Sequence, residues 1–213
     1  MYTGFMRLHW LAVAALVAGA PALFSQSFEA SFSGGESYLS THSSNIGTVT
    51  PDPGSGTYQM RDGFRIALRM TLNQGRFLGH EFGYAYTHTS LDVPQTAGGG
   101  ISLPGSAQVY VNTGLPAHQG FYDFLGYLIP EGKRIRPFAC AGVQFTTFVP
   151  SGSYTGETKY GINYGAGFKV KLKENWGLRF DLRQYNMSKP FNLPNNSGRL
   201  LLDEFSIGLS FLL

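Results

Sequence analysis

Tyr160-Gly-Ile-Asn-Tyr-Gly-Ala-Gly-Phe-Lys-Val-Lys-Leu172, then Lys173-Glu-Asn-Trp176, then Gly177-Leu-Arg-Phe-Asp-Leu-Arg-Gln-Tyr185, is the stretch that decides the fold. In the first arm one parity holds Tyr160, Ile162, Tyr164, Ala166, Phe168, Val170 and Leu172. The other holds Gly161, Asn163, Gly165, Gly167, Lys169 and Lys171. The second arm sets Leu178, Phe180 and Leu182 against Arg179, Asp181 and Arg183. Alternation with period two means β-strands, because successive side chains point to opposite faces. Strands of ordinary soluble sheets run about 5–6 residues. These arms reach the roughly 9–11 residues that a tilted strand needs to cross a bilayer. One parity is continuously apolar, and the other mixes glycine with charge. A narrow transmembrane barrel needs that combination, with an apolar band toward lipid and small residues with paired charges in the lumen.

The pattern repeats outward from this hairpin. Phe28 to Leu39 sets Phe28, Ala30 and Phe32 against Glu29, Ser31 and Ser33, and Gly34-Gly35 predicts a bulge or bend within it. Tyr58 to Leu72 places Phe64, Ile66, Leu68, Met70 and Leu72 outward and Arg65, Ala67, Arg69 and Thr71 inward. Phe77 to Ser90 alternates Leu78, Phe82, Tyr84 and Tyr86 with Gly79, Glu81, Gly83, Ala85 and Thr87. Gln119 to Ile129 is apolar on both parities, so its faces stay unassigned. Ile135 to Phe148 opposes Ala139, Ala141, Val143 and Phe145 to Arg136, Cys140, Gly142 and Gln144. Leu201 to Leu213 alternates Phe205, Ile207, Leu209, Phe211 and Leu213 with Glu204, Ser206, Gly208 and Ser210. The connections alternate long and short. Short turns fall at Asn73–Arg76, Pro130–Arg134 and Lys173–Trp176; long loops fall at Ser40–Thr57, Leu91–His118, Pro150–Thr158 and Asn186–Arg199. Val109-Tyr-Val111 predicts a strand extension above the membrane. Short turns at one end and long loops at the other are the mark of outer-membrane barrels. The fold class predicted is all-β: an eight-stranded antiparallel up-and-down transmembrane β-barrel.

Parity also constrains the lumen. Paired residues share a face, so their numbers sum to an even value. A three-residue loop Gln74-Gly-Arg76 places Arg69 opposite Glu81, and a loop Glu174-Asn-Trp176 places Lys169 opposite Asp181. The lumen charge network predicted is Arg65, Arg69, Glu81, Arg136, Lys169, Lys171, Arg179, Asp181, Arg183 and Glu204. Its expected role is to fill and lock the barrel, since a buried charge needs a partner. Eight strands leave room for side chains only, which argues against a general diffusion pore. Tyr84, Tyr86, Tyr160 and Trp176 are expected at the two membrane interfaces.

Residues 1–26 read as a signal peptide with cleavage at about residues 22–26. Arg7 precedes an apolar run from Leu8 to Ala20, with small residues at Ala18-Gly-Ala20 and Ala20-Pro-Ala22. Residues 27–213 then form the barrel. A net charge of +3 without a basic stripe argues against nucleic acid as a partner. The single cysteine, Cys140, allows no intrachain disulfide and reads as a small packed residue. No phosphate-binding loop or zinc spacing occurs, so neither metal nor cofactor is expected.

Three segments carry a resemblance: Arg136-Pro-Phe-Ala-Cys-Ala-Gly142, Tyr160-Gly-Ile-Asn-Tyr-Gly-Ala-Gly167, and the terminal alternation Phe205 to Leu213. The first two resemble the RPY-x-x-x-G and Y-G-x-x-x-G-x-G patterns of small bacterial outer-membrane barrels of the OmpA-like, OmpX-like and opacity-protein type. The third looks like the signal read by the barrel-assembly machinery, with Phe205, Ile207, Leu209, Phe211 and Leu213 as its residues, although Leu213 replaces the usual final Phe or Trp. The resemblance implies a bacterial outer-membrane location, contact with outer-membrane lipids and a monomer. It implies a non-enzymatic barrel that adds envelope integrity, with loops available for adhesion or recognition of a host or surface ligand. The alternative is a lipid-modifying barrel enzyme, an acyl transferase or lipid A deacylase. That chemistry needs a His with a Ser or acidic partner at the outer rim; His42, His88 and His118, near Ser90, Asp92 and Asp123, are the candidates.

Overall fold

A computed structural model describes residues 26–40, 44–52, 55–95, 109–151 and 155–213. The expected signal peptide lies outside these residues except for Gln26, and so does His42. The strands are β1 (Gln26–Leu39), β2 (Asn45–Thr48), β3 (Thr57–Met60), β4 (Gly63–Gln74), β5 (Leu78–Gln95), β6 (Val109–Tyr127), β7 (Ile135–Phe148), β8 (Glu157–Lys171), β9 (Trp176–Ser188) and β10 (Arg199–Leu212). Eight of them form a closed antiparallel barrel in the order β1-β4-β5-β6-β7-β8-β9-β10, and β10 pairs back onto β1. Closure removes every free edge from the wall, which the absence of water in a bilayer core demands. The other two strands, β2 and β3, form a hairpin above the wall whose β3 pairs with the upper part of β5.

The faces follow the parity rule. Phe168 and Ile207 are 42 % and 47 % exposed on the outer wall, whereas Lys169, Asp181 and Glu204 are 7 %, 1 % and 2 % exposed inside. Apolar residues therefore look toward lipid and charges look toward the lumen. β6, unreadable from its sequence, turns Leu115, Ala117, Gln119, Phe121, Asp123, Leu125 and Tyr127 inward. Tyr84, Tyr160 and Trp176 stand exposed on the outer wall. Trp176 meets Phe211 edge-on with ring centroids 4.0 Å apart.

Three expectations need correction. Gly34-Gly35 makes no bulge: β1 keeps an unbroken register with both β10 and β4. A Cβ at Gly35 would lie 2.0 Å from the Phe205 carbonyl oxygen, so this glycine serves close strand approach instead. The expected strand Tyr58 to Leu72 is two strands, interrupted at Arg61-Asp62. There the Asp62 carboxylate accepts the Leu39 amide at 2.7 Å, and the Arg61 amide donates to the Ser90 carbonyl at 2.9 Å. The chain leaves the wall at that point and builds β3 above it. Finally, both short hairpins are shifted by one residue.

That shift decides the lumen. β4 pairs Gln74 with Leu78, so the loop is Gly75-Arg76-Phe77, with Gly75 at a positive φ of 68°. Arg69 then faces Gly83, and Glu81 faces Thr71. In β8–β9 the Trp176 carbonyl accepts the amides of Leu172 at 2.9 Å and Lys173 at 3.1 Å. Leu172 and Trp176 thereby share the lipid face, and the loop closes over Lys173–Asn175. Lys169 faces Arg179, and Asp181 faces Gly167. The even sum and the three-residue loops hold, but neither proposed carboxylate stands opposite its cation.

Candidate functional site

Arg69 and Glu81, although not directly opposite, still approach to 3.8 Å between the neighbouring strands β4 and β5, as expected of that pair, whereas Lys169 and Asp181 do not meet; the remaining lumen charges pair within β9 or with strands farther round the barrel. Arg179 of β9 donates to both oxygens of Glu81 on β5, at 2.5 and 3.1 Å, and to both oxygens of Asp181, at 2.8 and 2.9 Å. Such two-point contacts suit the planar guanidinium fork. Arg183 donates to Glu81 at 2.6 Å, to Asp181 at 2.9 Å and, closely, to Asp123 of β6. Asn163 donates to the other Asp123 oxygen at 2.6 Å. Toward the loop end, Glu204 of β10 accepts from Arg69, from Ser206 at 2.6 Å and from Tyr185 at 2.7 Å, and forms an ion pair with Arg65 Nε at 3.1 Å. Toward the short-turn end, Lys169 donates to Glu29 at 2.7 Å and to the Tyr127 hydroxyl at 3.1 Å. Arg136 stacks over the Tyr127 ring at 3.4 Å and donates to Asn73 at 3.2 Å and the Arg76 carbonyl at 3.1 Å.

Of the ten predicted lumen charges, nine are buried in this column. Lys171 is the exception. It shares the inward parity but lies exposed at the short-turn rim, because the hairpin closes one residue earlier than expected. Two column members were absent from the predicted network. Glu29 was visible on the polar parity of its strand; Asp123 was hidden by a strand apolar on both parities. The column holds six cations (Arg65, Arg69, Arg136, Lys169, Arg179, Arg183) and five carboxylates (Glu29, Glu81, Asp123, Asp181, Glu204). Arg136 is the surplus charge, which explains why neutral oxygens and an aromatic face hold it. Cys140 packs with Leu125, Tyr127 and Phe138 beside this lower end.

An apolar cap closes the loop end above the charges. Ile46 of β2, Leu115 of β6, Phe148 of β7, Met187 of β9 and Leu200 of β10 are all fully buried there. Tyr185 joins the two layers, with its ring in the cap and its hydroxyl on Glu204.

A closed eight-stranded wall, lipid-facing aromatics and a charge-filled lumen agree with a sequence match: the profile of the outer membrane protein beta-barrel domain covers residues 10–211. The chain belongs to that family. This outer-membrane barrel therefore resides in the bacterial outer membrane. Its fold is similar to that of Neisserial surface protein A, NspA, at 13 % identity over 87 % of this chain and 96 % of that one, with a TM-score of 0.54. It is also similar to Ail, the attachment invasion locus protein of Yersinia pestis, solved in complex with the heparin analogue sucrose octasulfate. That match has 8 % identity over 89 % of this chain and 99 % of Ail, with a TM-score of 0.50. No curated protein matches the sequence significantly.

Of the candidate histidines among the described residues, His88 and His118 do not gather with the proposed partners. His118 bonds the Tyr84 hydroxyl at 2.6 Å, and Ser90 accepts from Asn112 at 3.0 Å. His88 is exposed and pairs in register with Phe64 and Pro116. Asp123 lies in the sealed lumen. Among the described residues no cluster of three His, Cys, Asp or Glu side chains is placed to hold a metal ion.

Two features organise the loop end. Arg61 bonds Asp92 at 2.7 Å and Asn112 bonds it at 2.9 Å, which pins the β2–β3 hairpin to the extension of β5. The Arg61 hydrogen bond holds the Asp92 carboxyl below the usual carboxylate range. A depressed carboxyl stabilises the fold above its unfolded value of about 3.9, and that stability fades as pH falls through the folded value. A spin label at the exposed Gln59, opposite Asp92 in register, is thus expected to stay immobile down to about pH 3.9 and to gain mobility only as the pH is taken lower, through the depressed folded value. Asp92→Asn should be mobile throughout. The second feature is Phe191, whose φ of 73° is unusual for a bulky residue. Such backbone strain costs about 1–3 kcal/mol and persists only where neighbours over-determine it. Here the Glu157 carboxylate accepts the Phe191 amide, and the ring meets Phe148 edge-on at 6.4 Å.

Proposed function

We propose that this outer-membrane barrel is non-enzymatic, that it adds to envelope integrity, and that its loop end recognises surface ligands. The sealed lumen carries this reading. Among the described residues, paired charges and the apolar cap fill the interior and leave no open path for solutes along the wall. What remains shaped for contact is the loop end, where β5 and β6 run 18 and 19 residues, well beyond the bilayer span. The separation of His88, His118, Ser90 and Asp123 supports a reading without acyl-transfer chemistry. Insertion by the barrel-assembly machinery, as a monomer, accords with the outward row Phe205, Ile207, Leu209 and Phe211 on β10, which is continuous with the apolar face of β9.

Deletion of the gene tests the proposal. The mutant is expected to leak periplasmic enzyme and to gain sensitivity to detergent, with its lipid mass profile unchanged. Full complementation by the intact chain is expected, as is a heat-modifiable band in the outer-membrane fraction. An altered acyl pattern on lipid A in the mutant would replace this reading with an enzymatic one.

A further inference from the structure

We infer that the loop end of the barrel is a binding cup for a small apolar molecule about the size of a substituted benzene. This rests on the surface-recognition reading and names the ligand class. A cavity of about 200 Å³ opens above the apolar cap. All four long connections or their flanking strands wall it: Tyr58 from the first, Leu91 and Val93 at the second, Pro150 from the third, Phe191 and Leu193 from the fourth. Its lining is mainly carbon, with the hydroxyls of Thr113 and Thr155 as polar contributors. Ligand sites combine such a wall with few polar groups. An apolar cavity of about 150 Å³ in an unrelated protein stays dry and accepts benzene, so this volume suits one ring with small substituents.

The floor makes the cup blind. Leu115, Phe148 and Met187 are each 0 % exposed beneath it, and the charge column lies under them. A molecule entering the cup exchanges with the outside and cannot pass through. Phe191 supplies a second, independent observation. Its strained backbone is held by Glu157, which is itself fixed by Lys159 at 2.7 Å, so a polar clasp outside the cup keeps an aromatic wall in place. Closing the barrel requires none of this, because the β8–β9 and β9–β10 ladders are complete without Phe191.

The test uses the full barrel in lipid nanodiscs with ¹³C-methyl methionine and p-xylene as the probe. Met60 and Met187 lie in the cap, whereas Met70 faces lipid. A saturable shift of a cap methyl is expected, together with a linear shift of Met70 as xylene enters the bilayer. Val93→Trp, which fills the cup, should abolish the saturable shift. Phe191→Gly, which removes both wall and strain, should weaken binding several-fold while the heat-modifiable band persists. Cap methyls that only track Met70 would overturn the inference, as would saturable binding left unchanged by Val93→Trp. Saturation seen only after residues 97–107 are excised would assign the cup to the chain's own loop and equally overturn it. Each of these failures leaves the leakage phenotype of the deletion mutant intact. Conversely, loss of that phenotype with xylene binding retained removes the envelope reading alone.

Discussion

Arg183→Met is expected to lower the unfolding free energy of the barrel by about 3–5 kcal/mol, the usual cost of breaking a buried ion pair from one side. Arg183 bonds Glu81, Asp181 and Asp123, and all of these side chains are 0 % exposed. Methionine keeps much of the aliphatic stem, so lost volume contributes little and the experiment isolates charge. Without the guanidinium, Glu81 and Asp181 still have Arg179, but Asp123 keeps only the Asn163 amide. Urea unfolding in vesicles, followed by the heat-modifiable band, measures the effect. Asp123→Asn in the Arg183→Met background removes the orphaned charge and should restore roughly 1–3 kcal/mol, the desolvation cost of a group left unsatisfied. Strictly additive effects would mean that the two residues act independently.

Gly142→Ala is expected to cost about 1–3 kcal/mol, and Gly142→Val to prevent formation of the heat-modifiable species, because overpacking a filled interior forces neighbours to move. Gly142 points inward from β7. A Cβ there would lie 1.9 Å from the Tyr122 carbonyl oxygen and 2.3 Å from Asp123 Oδ1. The first atom belongs to the β6–β7 ladder, and the second to the carboxylate that Arg183 grips, so neither yields freely. Gly126 on β6 provides the control. A Cβ there meets nothing within 4 Å, so Gly126→Ala should change stability by less than about 0.5 kcal/mol. Equal losses at the two sites would show that strand propensity, not lumen space, sets the glycine requirement.

The wall was legible in the sequence because a lipid-spanning strand writes its two environments on alternate residues. Tyr160 to Tyr185 displays both, and the same signature fixed the faces of β1, β4, β5, β7 and β10. β6 was not legible. Its inward residues include Leu115, Phe121, Leu125 and Tyr127, which serve the cap and the aromatic packing around the charges, so both parities look apolar. The lumen was legible as a set of residues but not as a set of pairs. Register depends on which turn residue takes the left-handed backbone and which amides a turn carbonyl accepts. Gly75 and Trp176 settled these points in ways that parity alone leaves open. A single-residue shift at each of these two turns moved every facing partner by two, which leaves Arg69 and Glu81 as a diagonal contact of 3.8 Å and turns Lys169 from Asp181 to Glu29. The β2–β3 hairpin and the cup were hidden for another reason. They depend on long-range contacts, such as Arg61 with Asp92 and Phe191 with Glu157, which local periodicity does not record.

The length of β5 and β6 has an electrostatic consequence. If a tilted strand spends about 11 residues in the bilayer, the 18-residue β5 has about seven left over. At about 3.4 Å each, they raise its paired end by more than 15 Å, even when tilted. Counter-ions at physiological ionic strength damp a charge within about 8 Å. The far end of this ribbon therefore stands outside the field of the phosphate layer. A visitor arriving there responds to the ribbon's own side chains, whatever the charge of the lipids below.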